Sequence, residues 1–262
     1  MHDTKLDSNT ISSAVLLAAG CGTRLQPLTL DAPKCLTPVA GETILYRLVQ
    51  HLRLHGIKRL VVVIGYKGEQ VRAYLEQHAS DFELEFVVNH QYDSTNNIYS
   101  LWLAKQKIQE DFMLLESDLV FETAMLKDML KPDRIAVSSP LPWMNGTMLE
   151  IDEQCHAKRF YLGKNLSTNR FFKTVNICSL SYISWQKILE RLESYVANNE
   201  LNGYYEVVFA DLVAEGRLDF EVVEFRKNAW YEIDTLEDLD AANHLYGYDT
   251  DEPLVRHITA SR

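Results

Sequence analysis

The chain has 262 residues, 26 basic against 37 acidic side chains, a formal charge of -11 and 47% hydrophobic content. That length accommodates a sizeable core, in one large domain or two small ones, and the excess of acid argues against a nucleic-acid partner or an anionic membrane surface. It leaves room for a small anionic ligand, because a local pair of cations dominates the field of one cleft.

Cys21, Cys35, Cys155 and Cys178 show neither CxxC spacing nor a metal-ligand pattern and read as reduced thiols. No apolar run approaches the roughly 20 residues of a bilayer span, and MHDTKLDSNTIS lacks the core of a signal peptide. A cytoplasmic protein without membrane insertion is expected.

Residues 1–12 are polar and are expected to form a flexible arm. AVLLAA (14–19) is a continuous apolar run ending at Gly20, the pattern of a strand buried on both faces. ETILYRLVQHLRLHG (42–56) places Ile44, Leu45, Leu48, Val49 and Leu52 at helical spacing, with Gly56 as its stop. RLVVVIGY (59–66) is a second buried strand, GEQVRAYLEQH a short helix and ELEFVVN (83–89) a third strand. Asn96 and Asn97 stand where a helix cap belongs, before IYSLWLAKQKI. FMLLESD (112–118) is a fourth strand, ending on a carboxylate.

This βαβαβαβ rhythm predicts an α/β fold, a mostly parallel sheet with helices on both sides and ligands at the carboxyl ends of its strands. In the second half RIAVSSP, FFKTVNICSLSYI and DFEVVEF read as strands, and SWQKILERLESYVANN and LEDLDAANHLYG as helices. With no repeat or linker, one domain over 13–247 is expected, followed by a tail over 248–262. His51 and His55 lie four apart on the 42–56 helix without a third ligand, so a solvated face is expected and zinc is unsupported.

The stretch LAAGCGTRLQPLTLDAPK (17–34) is neither a Walker A motif nor a dinucleotide fingerprint. Gly20 and Gly22 let backbone amides approach a phosphate, while Arg24 and Lys34 supply fixed charge. Standing alone, the same loop reads equally as a tight turn with solvated cations.

The ordered string L-A-A-G-x-G-T-R-L-x-P-L-T followed by P-K resembles the signature of the sugar-phosphate nucleotidyltransferase superfamily, over roughly Ser13 to Gly247. The resemblance implies a Rossmann-like three-layer sandwich with a mostly parallel mixed sheet. It further implies that Leu17, Ala18, Ala19, Gly20, Gly22 and Thr23 wrap a nucleoside triphosphate, that Arg24 assists the departing pyrophosphate and that Lys34 contacts the reacting phosphate. Asp118 in LLESDLVFE and Asp234 in WYEIDTLEDL resemble the family's metal-binding aspartates, implying Mg²⁺, which favours one or two carboxylates with substrate phosphates and water. Either aspartate taken singly is also a turn former. Glu116 and Glu232 flank them on the same strand faces, where a supporting role is open.

NHQYDSTNNIYSLWLA, WMNGTMLEID, FKTVNI and NGYYEVVFADLV resemble a narrower branch that makes CDP-activated head groups, the phosphocholine and 2-aminoethylphosphonate cytidylyltransferases. The implied substrates are CTP and a small phosphate or phosphonate. Asn89, Asn96 and Asn97 stand where sugar-nucleotide enzymes usually carry a glutamine and a Gly-Thr pair, so their amides are candidates to read a pyrimidine; a helix cap accounts for Asn96 equally well. Trp143, Tyr204, Tyr205 and Glu206 form a candidate ammonium pocket, since aromatic faces and a carboxylate attract cations, with core packing as the plain alternative for the aromatics. Lys173 resembles the acceptor-phosphate contact; its alternative is a snorkelling surface lysine. A primary ammonium can donate to Glu206 whereas a trimethylammonium cannot, which favours the phosphonate over phosphocholine, a sugar 1-phosphate or a non-catalytic nucleotide-binding subunit. A homo-oligomer is left open.

Overall fold

In the computed structural model, residues 10–141, 144–163 and 170–247 are described. All six residues of β1 (Ser13–Ala18) are buried, because the strand lies between two others and is covered on both faces. Its side chains alternate: Ala14, Leu16 and Ala18 enter one core and Val15 and Leu17 the other.

The chain continues through a short hairpin, β2 (Pro38–Val39) and β3 (Glu42–Thr43), into α1 (Ile44–Leu54), which is capped by the Thr43 hydroxyl accepting from Tyr46 N. There follow β4 (Arg59–Ile64), α2 (Gly68–His78), β5 (Glu83–Val88), α3 (Asn97–Leu103), β6 (Phe112–Glu116) and β7 (Leu119–Phe121). The second half comprises β8 (Arg134–Ser138), β9 (Met148–Ile151), β10 (Ala157–Tyr161), β11 (Phe171–Leu180), α4 (Tyr182–Ala197), α5 (Glu206–Ala214), β12 (Glu221–Phe225), β13 (Trp230–Glu232) and α6 (Leu236–Gly247).

Nine strands form the main sheet, in the order β10-β9-β11-β6-β1-β4-β5, with β8 alongside β11 and β12 alongside β8. The pairs β6-β1, β1-β4, β4-β5 and β8-β12 are parallel. Only β10 and β11 run against the other strands, since β11 is antiparallel to β6, β8 and β9 and β10 is antiparallel to β9. Buried side chains of α1, α2 and α6 pack in one core, and those of α3, α4 and α5 in the other. The three-layer α/β sandwich implied by the sequence is therefore the fold, with a mixed, mostly parallel sheet.

The strands expected at 14–19, 59–66, 83–89 and 112–118 lie where the periodicity places them. The solvated face expected for His51 does not. His51 is buried, its ring 4.9 Å from that of Phe121, and His55 meets the Thr123 carbonyl at 2.7 Å. Both residues serve the packing of α1 on the segment after β6.

Residues 1–9 and 248–262 lie outside the described residues, and Ile11 already packs in the core. None of the described helices is long and apolar enough to cross a membrane.

Candidate active site

A cleft of about 1150 Å³ opens at the carboxyl ends of β1 and β6, where ligands of open α/β sheets bind. Its floor begins with the loop after β1. Leu17 and Ala19 line it, whereas Ala18 points into the opposite core by strand alternation. Nothing lies within 4 Å of a Cβ built on Gly20, so the loop is open to a ligand there. Gly22 is held for a different reason. At φ +59° a Cβ would stand 3.0 Å from Lys34 Cβ and 3.1 Å from Thr29 Cγ2. Thr29 Oγ1 also donates to the Gly22 carbonyl at 2.9 Å. The loop thus folds back on the segment that presents Lys34, with Thr23 and Arg24 opening a short 3-10 turn on the rim.

Lys34 Nζ lies between two carboxylates, donating to Asp118 Oδ2 at 2.8 Å and to Asp234 Oδ1 at 2.6 Å. Burial opposes the lysine's charge, but Asp118 and Asp234 outweigh it and hold the ammonium protonated well above its ordinary value. Arg24 reaches the same Asp234 oxygen at 2.8 Å while its side chain remains 65% exposed.

A two-stranded ribbon brings these distant residues together. β7, which starts directly after Asp118, pairs antiparallel with β13, which ends two residues before Asp234. Ile233 N closes the junction by donating to the Asp118 carbonyl. The same ribbon adds a third carboxylate: ligand oxygens of Asp118, Glu232 and Asp234 all lie within 4.8 Å of one another. Asp118 Oδ1 is buried without a hydrogen-bond partner. A hard divalent cation fits this all-oxygen set with its orphaned donor.

Deeper in the cleft, Lys173 is 2% exposed. Its Nζ donates to the Thr174 carbonyl at 2.7 Å, lies 3.4 Å from Glu232 Oε2 and stands 5.9 Å from the Trp230 ring centroid. The lysine comes from β11 at a register shift between Thr174 and Cys178, where Asn176 takes φ +61° and donates to Glu232 Oε1 at 3.3 Å.

Opposite stands Glu206, the first residue of α5. Thr147 Oγ1 donates to its Oε1 at 3.4 Å, and its Oε2 is buried with no partner. Burial raises its pKa against the pull of the backbone, Lys173 and Thr147. Glu232 is raised by burial and by its neighbours Asp118 and Asp234, with Lys173 and Lys34 opposing. Glu116 is held well above the ordinary carboxylate range by burial and then by Asp118, Glu206 and Glu232, with Lys34 opposing.

The sequence-predicted nucleotide and acceptor residues fall into distinct settings. Asn89 lines the cleft, but its amide is engaged within the fold, with Nδ2 donating to Thr95 Oγ1 and Ser100 Oγ and Oδ1 accepting from Gln91 N. Asn96 caps α3 by accepting from Asn97 N at 2.8 Å. Asn97 bridges Glu116 and Tyr205. Tyr204 is 59% exposed on the rim, while the Tyr205 ring is buried against Phe209. Trp143 lies outside the described residues. Sequence reasoning passed over Thr147, Asn176 and Trp230, although each sits inside a stretch (WMNGTMLEID, FKTVNI, WYEID) that carried the resemblance, and it left Glu232 in a flanking role.

A glycine loop, two cations and three carboxylates thus gather at one edge of a doubly covered sheet, a setting suited to phosphate groups. Residues 13–136 match the model of the nucleotidyl transferase family. The match spans just under half of the chain, and the relatives it resembles over most of its length include cytidylyltransferases.

It is 33% identical over 84% of its length to the CMP-5'-(3-aminopropyl)phosphonate synthase of Streptomyces rubellomurinus, and 31% identical over 88% to the bifunctional IPC transferase and DIPP synthase of Aquifex aeolicus. It spans 36% of the length of the first relative and 51% of the second. The CTP:phosphocholine cytidylyltransferase of Streptococcus pneumoniae has the same fold, with a TM-score of 0.77 at 22% identity, covering 90% of this chain and 99% of that one.

Proposed function

We propose that the domain over 13–247 transfers CMP from CTP to a small phosphate or phosphonate bearing an amine, with 2-aminoethylphosphonate preferred to phosphocholine, and releases pyrophosphate. An acceptor oxygen, already anionic, bonds to the α-phosphorus as the bond to the pyrophosphate oxygen breaks. Such a displacement needs no protein nucleophile or general base, and rate enhancement comes from positioning and charge neutralisation.

The loop from Leu17 to Thr23 receives the triphosphate, Lys34 faces the α-phosphate, and Arg24 on the rim meets the leaving pyrophosphate. Asn89 and Asn96 shape the wall on the base side. Asp118, Asp234 and Glu232 would hold Mg²⁺, which when bound offsets phosphate charge. Lys173 takes the acceptor's phosphonate. Glu206 takes its ammonium, with Tyr204 at the rim.

The observation that carries this reading is Lys34 Nζ held between Asp118 and Asp234 beside the glycine loop. The preference for a primary ammonium rests on Glu206 Oε2, a buried acceptor with no donor. A primary ammonium satisfies it and a trimethylammonium does not.

The test is pyrophosphate release by purified protein with Mg²⁺ across the common nucleoside triphosphates and a panel of 2-aminoethylphosphonate, phosphocholine and glucose 1-phosphate. The highest kcat/KM is expected for CTP with 2-aminoethylphosphonate. A higher value for phosphocholine or the sugar would refute the acceptor assignment, and no release with any pair would make the chain a non-catalytic nucleotide binder.

A further inference from the structure

We infer that Asn97 is a positioning residue that fastens the acceptor-binding segment onto α3 and thereby sets affinity for the acceptor. The inference rests on the proposed transfer reaction and concerns a residue that the sequence assigns to the base.

Both ends of the Asn97 amide are used inside the protein. Oδ1 accepts from Tyr205 N at 2.9 Å, 108 positions along the chain, and Nδ2 donates to Glu116 Oε1 at 3.0 Å. Asn97 thus links Tyr205 to Glu116 where the ends of α3, α5 and β6 meet. Two backbone bonds run alongside, from Asn96 N to the Leu201 carbonyl at 2.9 Å and from Ile98 N to the Gly203 carbonyl at 3.4 Å.

Among these ties between the first turn of α3 and the 199–205 segment, the Asn97 contact is the one a side chain makes at the start of α5. The next residue is Glu206, whose Oε2 is a buried acceptor of the cleft with no partner. A side-chain amide suits the position because it offers, on separate atoms, an acceptor for a backbone N–H and a donor for a carboxyl. Losing the tie frees the start of α5, and Glu206 loses its placement relative to Lys173.

The test is Asn97→Ala, with steady-state kinetics for the acceptor, equilibrium binding of CTP with Mg²⁺, and amide exchange of residues 199–206. The acceptor KM is expected to rise about tenfold, the order of one lost hydrogen bond, while CTP affinity stays within about twofold and the Tyr205 amide loses protection. Asn97→Asp, which keeps an oxygen for Tyr205 N and gives up the donor to Glu116, is expected to retain exchange protection at Tyr205, and this holds the inference to account should the alanine variant fold poorly. CTP affinity falling as much as the acceptor KM rises, or an unmoved acceptor KM, would overturn it in favour of base reading. Absence of turnover by the unaltered chain would instead sink the proposed function, while the exchange result would still decide whether Asn97 holds the segment.

Discussion

Lys34 is where the charges of the cleft meet. Its ammonium touches carboxylates that lie 84 and 200 positions away in sequence, and without it Asp118, Glu232 and Asp234 would face one another across less than 4.8 Å. Like charges at that distance in a partly dry site repel strongly, and breaking a buried pair costs more than the pair contributes. Lys34→Met is therefore expected to destabilise the metal-free protein by about 3 kcal/mol in urea titration, and added Mg²⁺ is expected to recover part of the loss. Turnover should fall at least ~100-fold, as on removal of one group that stabilises transition-state charge. A variant as stable as the parent without metal would show that the lysine is not compensating the carboxylates.

Arg24, Lys34, Asp118 and Asp234 were legible in the sequence because each sits in a short motif at a strand end, where the local pattern already implies a cleft. Glu232 and Asn97 were only half legible. Their neighbours across the site are set by chain returns that no local spacing encodes.

Among the elements, the smallest do the most for the site. The β7–β13 ribbon has three residues on each side, too few for period-2 alternation to register, yet it brings Asp118 to Asp234. α5 escaped the helical reading because apolar residues occupy nearly its whole circumference in EVVFADLVA, so no amphipathic stripe marks it. β9 and β10 are short, with β10 at the sheet edge and β9 beside it.

α1 was read correctly as a helix, but the burial of one residue was not. His51 sits under the ribbon against Phe121, its Nδ1 without a partner. Burial, and then Arg47 and His55, push its pKa down to about 4. The unfolded chain binds that proton near pH 6.5 and the folded chain does not, so stability contributed by the neutral imidazole is lost as pH falls from about 6.5 to about 4, by about 3 kcal/mol. His51→Leu keeps the apolar contact and removes the proton site. The difference in unfolding free energy between about pH 7 and about pH 4.5 should be smaller in the variant by that order. Parallel pH profiles for the two proteins would show that His51 is solvated after all.

At the scale of the whole molecule, the acid excess visible in the composition is carried into the cleft. Among the described residues lining it, Arg24, Lys34 and Lys173 are the basic ones, against seven acidic side chains including Asp93, Glu116 and Glu200. All three cations are already paired, Lys34 with Asp118 and Asp234, Arg24 with Asp234, and Lys173 against Glu232. A triphosphate arriving alone meets a field of its own sign, so its binding depends on a divalent cation that neutralises phosphates and carboxylates together. Ligand that binds only the folded state raises stability by RT ln(1 + [L]/Kd). At 100-fold saturation this corresponds to a Tm increase of about 5 to 10 °C for a domain of this size. CTP with Mg²⁺ is expected to give a shift of that order in a thermal melt, and CTP with a chelator to leave Tm within about 1 °C of the free protein. Because the measurement needs no acceptor and no turnover, it isolates the nucleotide half of the site. An equal shift with the chelator present would mean that the loop and its two cations bind the triphosphate unaided, and that the carboxylate cluster serves some purpose other than holding a metal.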